Sequence, residues 1–371
     1  MTSPEMNALT HEVLWAAFGV AVAFGALVQR TGFCTMGAVS DAVAMGDFTR
    51  LRQWALAAAV ATFGFAALSA AGILSAPQTL YASARWQWLS ALVGGGLFGF
   101  GMVLSSGCVS KTLVRVGGGS LKSLVVLLVA GFAAFATLRG ITAVWRVDTV
   151  DRVAVDFGAN ADLATLLARA GGMAAGTASW LGAALLGGAL LAFALASREA
   201  RRPGSLAAGA GVGALVLAMW WVTGSLGHLA EHPETLEEAW LATNSHRAEG
   251  LSFVSPTAFA LDWLMFFSDA SKSLTVGIVS VWGVIAGSAA VALARRRFRW
   301  EGFAGTADLA HHLVGGALMG VGGVTALGCS IGQGVTGLST LSLTSIVAVS
   351  AMIAGAAAAV RYQMWRLERE G

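Results

Sequence analysis

Charged residues are scarce in this chain. Asp, Glu, Lys and Arg make up 12% of its 371 residues, whereas 56% of the residues are hydrophobic. A soluble domain carries about a quarter charged residues, so the composition excludes a water-soluble globular fold. The formal net charge of +3 is small, and the basic residues gather at the ends of apolar segments. This pattern indicates membrane orientation and excludes a nucleic-acid partner.

Cysteine is also scarce, since the chain has only three. Three cysteines cannot all pair, and we expect no disulfide framework. The six histidines show no metal-ligand spacing, and the sequence has no phosphate-binding loop and no nucleophile elbow. The sequence therefore predicts no metal, no cofactor and no catalytic residue, which is typical of a protein that is not an enzyme.

The chain contains many long apolar runs. Nine of them are long enough to cross the ~30 Å hydrocarbon core of a bilayer as helices. They are residues 13–29, 53–75, 88–106, 120–138, 176–197, 204–224, 272–294, 308–328 and 341–361. Four shorter apolar pieces, too short to cross, are predicted to be re-entrant half-helices; they lie near 33–46, 108–116, 258–268 and 329–338. We predict an all-α polytopic membrane protein with a single membrane domain, 1–371.

The basic residues predict an orientation. With the N-terminus outside and nine alternating spans, 16 of the 23 Lys and Arg residues lie on the inside. The positive-inside rule therefore favours an outer N-terminus and a cytoplasmic C-terminus. The two long loops, 139–175 and 225–257, then lie outside.

One segment of the sequence occurs twice. Residues 94–108 read GGGLFGFGMVLSSGC and residues 315–329 read GGALMGVGGVTALGC, with eight of fifteen positions identical. In the predicted orientation the two copies enter the membrane from opposite sides. This indicates an inverted repeat, with halves of about 1–200 and 201–371 and a substrate site near the midplane where the halves meet.

All three cysteines, Cys34, Cys108 and Cys329, directly precede a predicted half-helix. This places each thiol near a helix N-terminus, where unpaired N–H groups and the helix dipole favour an anion. Two mechanisms are open: neutral thiols that pass a sulfur anion along by weak S–H contacts, or a thiolate that attacks it. An isolated cysteine would often be a small buried filler, but this interpretation fits poorly with three that all follow a glycine at a break between apolar segments.

Five further residues are candidates for a supporting role. Gly107 and Gly328 come directly before two of the cysteines. Lys111 and Arg115 would attract an anion toward the cytoplasmic side, although positive-inside topology also accounts for them. Gln333 would bind the oxygen atoms of an anion, or else bridge two helices.

The predicted repeat is incomplete at one point. The counterpart of the Cys34 region falls near 255–271, which has no cysteine. We expect Ser268 or Ser271 to take the position of the missing thiol.

Three stretches carry a family resemblance: QRTGFCTMGAVSDAV (29–43), residues 99–131 and GCSIGQGVTGLSTLSLTSIV (328–347). They closely resemble the YeeE/YedE family of bacterial sulfur-transport proteins. The resemblance implies an hourglass-shaped inner-membrane protein that takes up thiosulfate from the periplasm. Matched by motif, the family's three path-lining cysteines fall on Cys34, Cys108 and Cys329. The implied cytosolic partners are sulfur carriers of the TusA type or rhodanese-like proteins.

Three functions therefore stand as hypotheses. The leading one is passage of thiosulfate, or a close sulfur anion, from Cys329 at the outer side through Cys108 to Cys34. The second is a membrane sulfurtransferase that forms a cysteine persulfide and releases sulfite. The third is a soft-metal permease for Cu(I), which thiol and Met ligands would suit, although none of the eleven methionines forms a Met-x-x-Met pair with the cysteines.

Overall fold

The protein is described by a computed structural model that covers residues 3–233 and 235–370. Most of this part of the chain is helical. Its α-helices are α1 (Ser3–Thr31), α2 (Thr35–Met45), α3 (Thr49–Ala70), α4 (Trp88–Leu104), α5 (Val109–Gly117), α6 (Leu121–Arg139), α7 (Ile141–Asp148), α8 (Leu163–Gly171), α9 (Ala175–Gly182), α10 (Gly188–Ala194), α11 (Pro203–Trp221), α12 (Val254–Met265), α13 (Val276–Ala294), α14 (Thr306–Thr325) and α15 (Leu343–Glu370).

Three π-helical turns interrupt or extend this set, at Ala183–Gly187, Val222–Leu226 and Gly332–Gly337. Short 3₁₀ turns lie at Ala76–Gln78 and Val150–Arg152. The strands of the described part have two residues each and form two antiparallel pairs in the loops. They are β1 (Arg85–Trp86) with β2 (Val155–Asp156), and β3 (His228–Leu229) with β4 (Ala239–Trp240).

Eight helical stretches of the described chain are long and apolar enough to cross a membrane. They are Glu5–Met45, Thr49–Ala70, Trp88–Gly117, Leu121–Arg139, Ala175–Ala194, Pro203–Leu226, Val276–Ala294 and Leu343–Arg369. The predicted span 308–328 also forms a helix, α14, which has 20 residues. It is less apolar than the other eight because Asp308, His311 and His312 lie in its first two turns. The architecture is that of a multi-pass helical membrane protein.

Short helical segments lie at all four predicted half-helices: α2, α5, α12 and the π turn Gly332–Gly337. One of these segments differs from the prediction, since α12 runs from Val254 to Met265 and not from residue 258 to residue 268. Pro256 lies in its first turn, where a missing backbone N–H costs no intrahelical hydrogen bond. Pro256 is therefore part of the first turn of this helix and does not lie before it.

Glycines allow the central helices to approach closely. The duplicated pairs Gly95/Gly99 on α4 and Gly316/Gly320 on α14 each face the backbone of another helix. A Cβ atom at Gly99 would overlap the Met352 carbonyl of α15, and one at Gly320 would overlap a carbonyl of α6. Such small-xxx-small pairs are how membrane helices gain packing contacts without a hydrophobic driving force.

The pairs of helices that pack together recur in two sets. α1 packs on α13 as α11 packs on α3, and α4 packs on α15 as α14 packs on α6. These pairs correspond if the first four helices, α1–α4, match α11–α14 in order. In the same match α5 corresponds to the π turn Gly332–Gly337, and α6 corresponds to α15. The span formed by α9 and α10 lies between the two sets in the sequence. Because it adds one membrane crossing, the second set would have the opposite orientation in the membrane from the first. The inverted repeat remains a prediction, and an inverted repeat would produce this recurrence of helix pairs.

Candidate functional site

The three cysteines follow the same kind of helix end. Each lies two residues after a residue in the left-handed backbone region: Gly32 (φ 70°), Ser106 (φ 57°) and Leu327 (φ 59°). This conformation ends a helix and turns the chain sharply. Each cysteine therefore starts a new direction of the backbone.

The duplicated segment forms a duplicated turn. At the end of α4, the Gly107 amide donates to the Met102 carbonyl oxygen at 2.8 Å; at the end of α14, the Gly328 amide donates to that of Gly323 at 2.7 Å. Both bonds span five residues, which is the pattern of the Schellman helix end. Gly107 and Gly328 thus close the turns that position Cys108 and Cys329.

The thiols lie at helix N-termini, as the sequence predicts. The Cys34 sulfur accepts a hydrogen bond from the Gly37 amide at 3.4 Å, and the Cys329 sulfur accepts one from the Gly332 amide at 3.4 Å. In both cases the sulfur takes the place of a capping oxygen. The Cys108 sulfur lies 3.1 Å from the Ser110 hydroxyl oxygen instead.

The structure brings the three cysteines into one cluster. Cys108 lies close enough to both Cys34 and Cys329 for their charges to interact. Cys108 is 1% exposed and Cys329 is 0% exposed, whereas Cys34 is partly exposed. The thiols therefore form a series in which Cys108 lies within electrostatic range of both others.

A basic group lies beside Cys34. Lys111 and Arg115 are within electrostatic range of the Cys34 sulfur. Arg50 lies over Gly37, and its Nε is 3.3 Å from the Asp41 carboxylate. Asp41 is thus paired with Arg50. The arrangement makes this end of the cysteine series attractive to anions.

The other end of the series, at Cys329, is contacted by the loops. The Tyr81 hydroxyl donates a hydrogen bond to the Gly332 carbonyl oxygen, and Tyr81 lies in electrostatic range of Cys329 and Glu249. Sequence reasoning missed Tyr81. Its only signal was rarity, since the chain has two tyrosines.

Gln333 is completely buried, and both ends of its amide have protein partners. Its Nε2 donates to the Ala326 carbonyl oxygen at 2.6 Å, and its Oε1 accepts from the Ser345 hydroxyl. These bonds tie the end of α14 to the π turn and to α15. They agree with the helix-bridging interpretation of Gln333.

The predicted counterpart of Cys34 is not a serine. Cys34 occupies the N-cap of α2, and the N-cap of the corresponding helix α12 is Phe253. Ser268 and Ser271 lie beyond the end of α12 and are exposed. The prediction of those serines was wrong because α12 begins and ends earlier than the hydropathy pattern indicated.

A cavity of about 280 Å³ lies beside the Cys329 end, between α12, α13 and the loop 227–253. Arg146, Glu249, Ser252 and Ser255 are among its lining residues. Ser252 also packs on Gly332, next to Cys329. The cavity therefore adjoins the turn that holds the buried thiol, with a cation and an acid on its wall.

Glu249 is buried, and burial raises the pKa of its carboxyl group. The folded protein holds this proton to a higher pH than the unfolded chain, so its stabilising contribution is present at low pH and is lost as the pH rises through the folded-state pKa. We expect Glu249→Gln to remove this loss. The melting temperature is measured in detergent from about pH 4 to 8, a range that starts near the ordinary glutamate pKa of about 4.3. Over this range the melting temperature of Glu249→Gln should fall less than that of the unsubstituted protein.

The exposed Glu231 provides the control for this prediction. Glu231→Gln should leave the pH dependence unchanged. An equal pH dependence in Glu249→Gln and the unsubstituted protein would show that the buried carboxyl group does not titrate differently on folding.

Comparison with known proteins adds a family relationship. The sequence profile of a family described as Sulphur transport matches residues 30–358. The chain is 28% identical over 341 residues to the thiosulfate transporter TsuA of Escherichia coli (strain K12), covering 89% of each chain. It is 24% identical over 355 residues to the thiosulfate transporter TsuA of Spirochaeta thermophila, covering 92% of this chain and 97% of the relative.

Proposed function

Because this chain belongs to the Sulphur transport family, the YeeE/YedE family that its cysteine motifs resemble, we propose that it carries thiosulfate across the bacterial inner membrane into the cytoplasm. One observation of the site carries this proposal. The three cysteines of the chain, far apart in sequence, come together in the fold, with Cys108 in electrostatic range of both Cys34 and Cys329.

The two ends of the series suggest the direction of passage. Cys329 lies near Tyr81, and Tyr81 lies near Glu249; the charge distribution assigns the loops of both residues to the outside. Cys34 lies near Lys111 and Arg115, on the side assigned to the cytoplasm. The ion enters at Cys329, passes Cys108 and leaves at Cys34, where the basic residues attract a dianion. The N-terminus is then periplasmic and the C-terminus cytoplasmic.

The chemistry of the thiols suits this passage. Thiosulfate ends in a polarizable sulfur atom, and a neutral thiol is a weak donor that does not repel an anion. The amides of Gly37 and Gly332, together with the helix N-termini, offset part of the cost of bringing a charge into an apolar interior. Weak contacts in series let the ion bind and also leave.

The central thiols are closed to solvent in the described conformation, since Cys108 and Cys329 are at most 1% exposed. Passage therefore requires neighbouring groups to move. The packing of the two helix sets supports two inverted halves, about 1–200 and 201–371, that meet at the thiols. On the cytoplasmic side, a sulfur carrier of the TusA type or a rhodanese-like protein would accept the ion.

A sulfurtransferase is the second candidate. The Gly37 amide and the two cations near Cys34 would support a thiolate there, but burial and the neighbouring Cys108 oppose it. The thiolate would attack the terminal sulfur of thiosulfate, form a persulfide and release sulfite with the electron pair of the broken S–S bond. Incubation with thiosulfate followed by mass spectrometry tests this candidate: a gain of one sulfur on Cys34 supports it, and unmodified peptides exclude it.

The transport proposal predicts a growth phenotype. A bacterium that lacks its own sulfate and thiosulfate importers should grow on thiosulfate when it expresses this protein. Sulfate should neither support growth nor compete with labelled thiosulfate at tenfold excess, because sulfate has no terminal sulfur for the thiols to contact. The control is a strain that expresses the Cys108→Ala variant at the same membrane level. Absence of growth on thiosulfate, with the protein present in the membrane, would contradict the proposal.

A further inference from the structure

The loop 72–87, on the side assigned to the outside, sends the side chain of Tyr81 into the protein. Leu80, directly before it, is 37% exposed, whereas Tyr81 is 8% exposed. The Tyr81 hydroxyl donates a hydrogen bond to the Gly332 carbonyl oxygen. Because Gly332 follows Cys329 by three residues, this surface loop reaches the turn that holds the buried thiol.

One residue, Gly332, connects Tyr81 to the Cys329 sulfur. Its carbonyl oxygen accepts from the Tyr81 hydroxyl, and its amide donates to the Cys329 sulfur at 3.4 Å. Tyr81 and Cys329 also lie within electrostatic range of each other. The phenol therefore lies beside the turn of the outermost thiol of the series, which is 0% exposed.

The Tyr81 ring rests on a buried wall. It packs edge-on against the ring of Trp220, with 6.2 Å between the ring centroids. Trp220, from α11, is 0% exposed, and its indole N–H donates to the Ser339 hydroxyl oxygen at 3.0 Å. Ser339 lies two residues beyond the π turn. The wall behind the ring is thus tied to the same segment that the Tyr81 hydroxyl binds.

The backbone on both sides of Tyr81 is fastened to a second outer loop. The Leu80 amide donates to the Ala248 carbonyl oxygen at 3.1 Å. Arg247 Nη1 donates to the Ala82 carbonyl oxygen at 2.9 Å. The side chain of Tyr81 is held by its hydroxyl bond and its ring contact instead. Movement of this side chain therefore breaks fewer bonds than movement of the whole loop.

Passage that begins at Cys329 requires such a movement, because this thiol has no exposed surface in the described conformation. We propose that Tyr81 is the outer gate of the thiol series. With its hydroxyl bound to Gly332 it closes the way to Cys329, and its release opens that way. This inference rests on the proposed function and adds the group that controls entry of the ion.

A gate that favours its closed form weakens the apparent binding of the ion. When an ion binds only the open form, its apparent affinity is reduced by the fraction of protein that is open. Loss of the Tyr81 hydroxyl removes a bond of the closed form, so the apparent affinity should improve. Loss of a group that contacts the ion, or that only supports the fold, would have the opposite effect.

The first test measures access to the thiol and needs no transport. Full-length protein in detergent is treated with sulfonatoethyl methanethiosulfonate, a charged thiol reagent, and the labelling rate of each cysteine is read by peptide mass spectrometry. A buried thiol reacts through the open form, so its rate follows the open fraction. We expect Tyr81→Phe to raise the rate at Cys329 roughly three- to tenfold, the factor that one net hydrogen bond supplies. The rate at Cys34, at the other end of the series, should not change.

Tyr362→Phe is the matched control. Tyr362 is the other tyrosine of the chain, lies near the C-terminal end of α15 and is 42% exposed. The substitution again removes a phenolic hydroxyl and keeps the ring. It should leave the labelling rate of Cys329 at the unsubstituted value.

The second test measures uptake of labelled thiosulfate into liposomes. The half-saturating thiosulfate concentration of Tyr81→Phe should fall by the same factor by which Cys329 labelling rises, because both follow the open fraction. The maximal rate should not decrease. Tyr362→Phe should keep the unsubstituted values of both quantities.

Three results overturn the gate. The first is labelling of Cys329 in Tyr81→Phe at the unsubstituted rate. The second is an equal rise at Cys34 and Cys329, or an equal rise in Tyr362→Phe, because either shows a general loosening of the protein. The third is a higher half-saturating concentration in Tyr81→Phe, because it shows that the hydroxyl assists ion binding and does not oppose it.

Failure of the proposed function gives a different result. If the unsubstituted protein accumulates no thiosulfate but Tyr81→Phe exposes Cys329, the transport proposal is wrong and Tyr81 still controls access to the thiol. If the unsubstituted protein accumulates thiosulfate and Tyr81→Phe leaves Cys329 labelling unchanged, the transport proposal stands and the gate is wrong.

Discussion

Cys108→Ala should reduce thiosulfate uptake roughly ten- to hundredfold. The Cys108 thiol lies within electrostatic range of both Cys34 and Cys329, so on the proposed path the ion passes Cys108 between the other two thiols. A hydrogen bond to a charged group contributes about 1.5–3 kcal/mol, and each 1.4 kcal/mol added to the barrier slows passage tenfold. Initial uptake rates in proteoliposomes, normalised to reconstituted protein, measure the effect.

Two further variants separate the role of the thiol from packing. Cys108→Ser keeps a donor of smaller size and should retain more uptake than Cys108→Ala. Ser110→Ala removes the hydroxyl that lies 3.1 Å from the Cys108 sulfur and leaves the thiol in place, so uptake should remain within a few-fold of the unsubstituted rate. If Cys108→Ala transports at the unsubstituted rate, the thiol series is not the path.

Gly99→Ala should destabilise the membrane domain by about 1–3 kcal/mol, the usual cost of overpacking a tight core. A Cβ atom at Gly99 would overlap the backbone of α15 at the Met352 carbonyl and crowd the Ala356 amide. Backbone cannot rotate away as a side chain can, so α4 and α15 would have to separate. The melting temperature in detergent and the fraction of protein that stays monodisperse measure the loss.

Gly96 is the matched control because it lies on the same helix, and a Cβ atom there would have no neighbour within 4 Å. Gly96→Ala should leave stability unchanged or raise it, since alanine favours a helix over glycine. Gly320→Ala, on α14 against α6, should behave like Gly99→Ala because it meets the same kind of carbonyl contact. Equal stability of Gly99→Ala and Gly96→Ala would contradict the close approach of these helices.

Local signals in the sequence explain most of what could be predicted. Apolar runs locate the spanning helices, and the breaks that end in a cysteine locate the three helix N-termini. The one clear error, at Ser268 and Ser271, arose because hydropathy does not mark a helix start. Pro256 lies in the first turn of α12, whereas the apolar run that indicates the helix begins at residue 258.

Long-range contacts explain what could not be predicted. Nothing near Trp54 in sequence indicates that it packs around one small cavity with Thr35 and Ser330. The partners of Gln333 are seven residues before it and twelve after it, so its bracing role depends on how α14, the π turn and α15 fold together. Tyr81 comes from a loop with no motif, and only the fold brings it to Gly332.

The most direct test of the account uses thiosulfate that carries one isotope in its terminal sulfur and another in its sulfonate sulfur. The purified protein is reconstituted into liposomes, and the labels inside are counted together with any sulfite left outside. We predict that both labels enter in equal amounts and that Cys108→Ala reduces them equally. Entry of the terminal-sulfur label alone, with sulfite released outside, would contradict passage of the intact ion past the thiols.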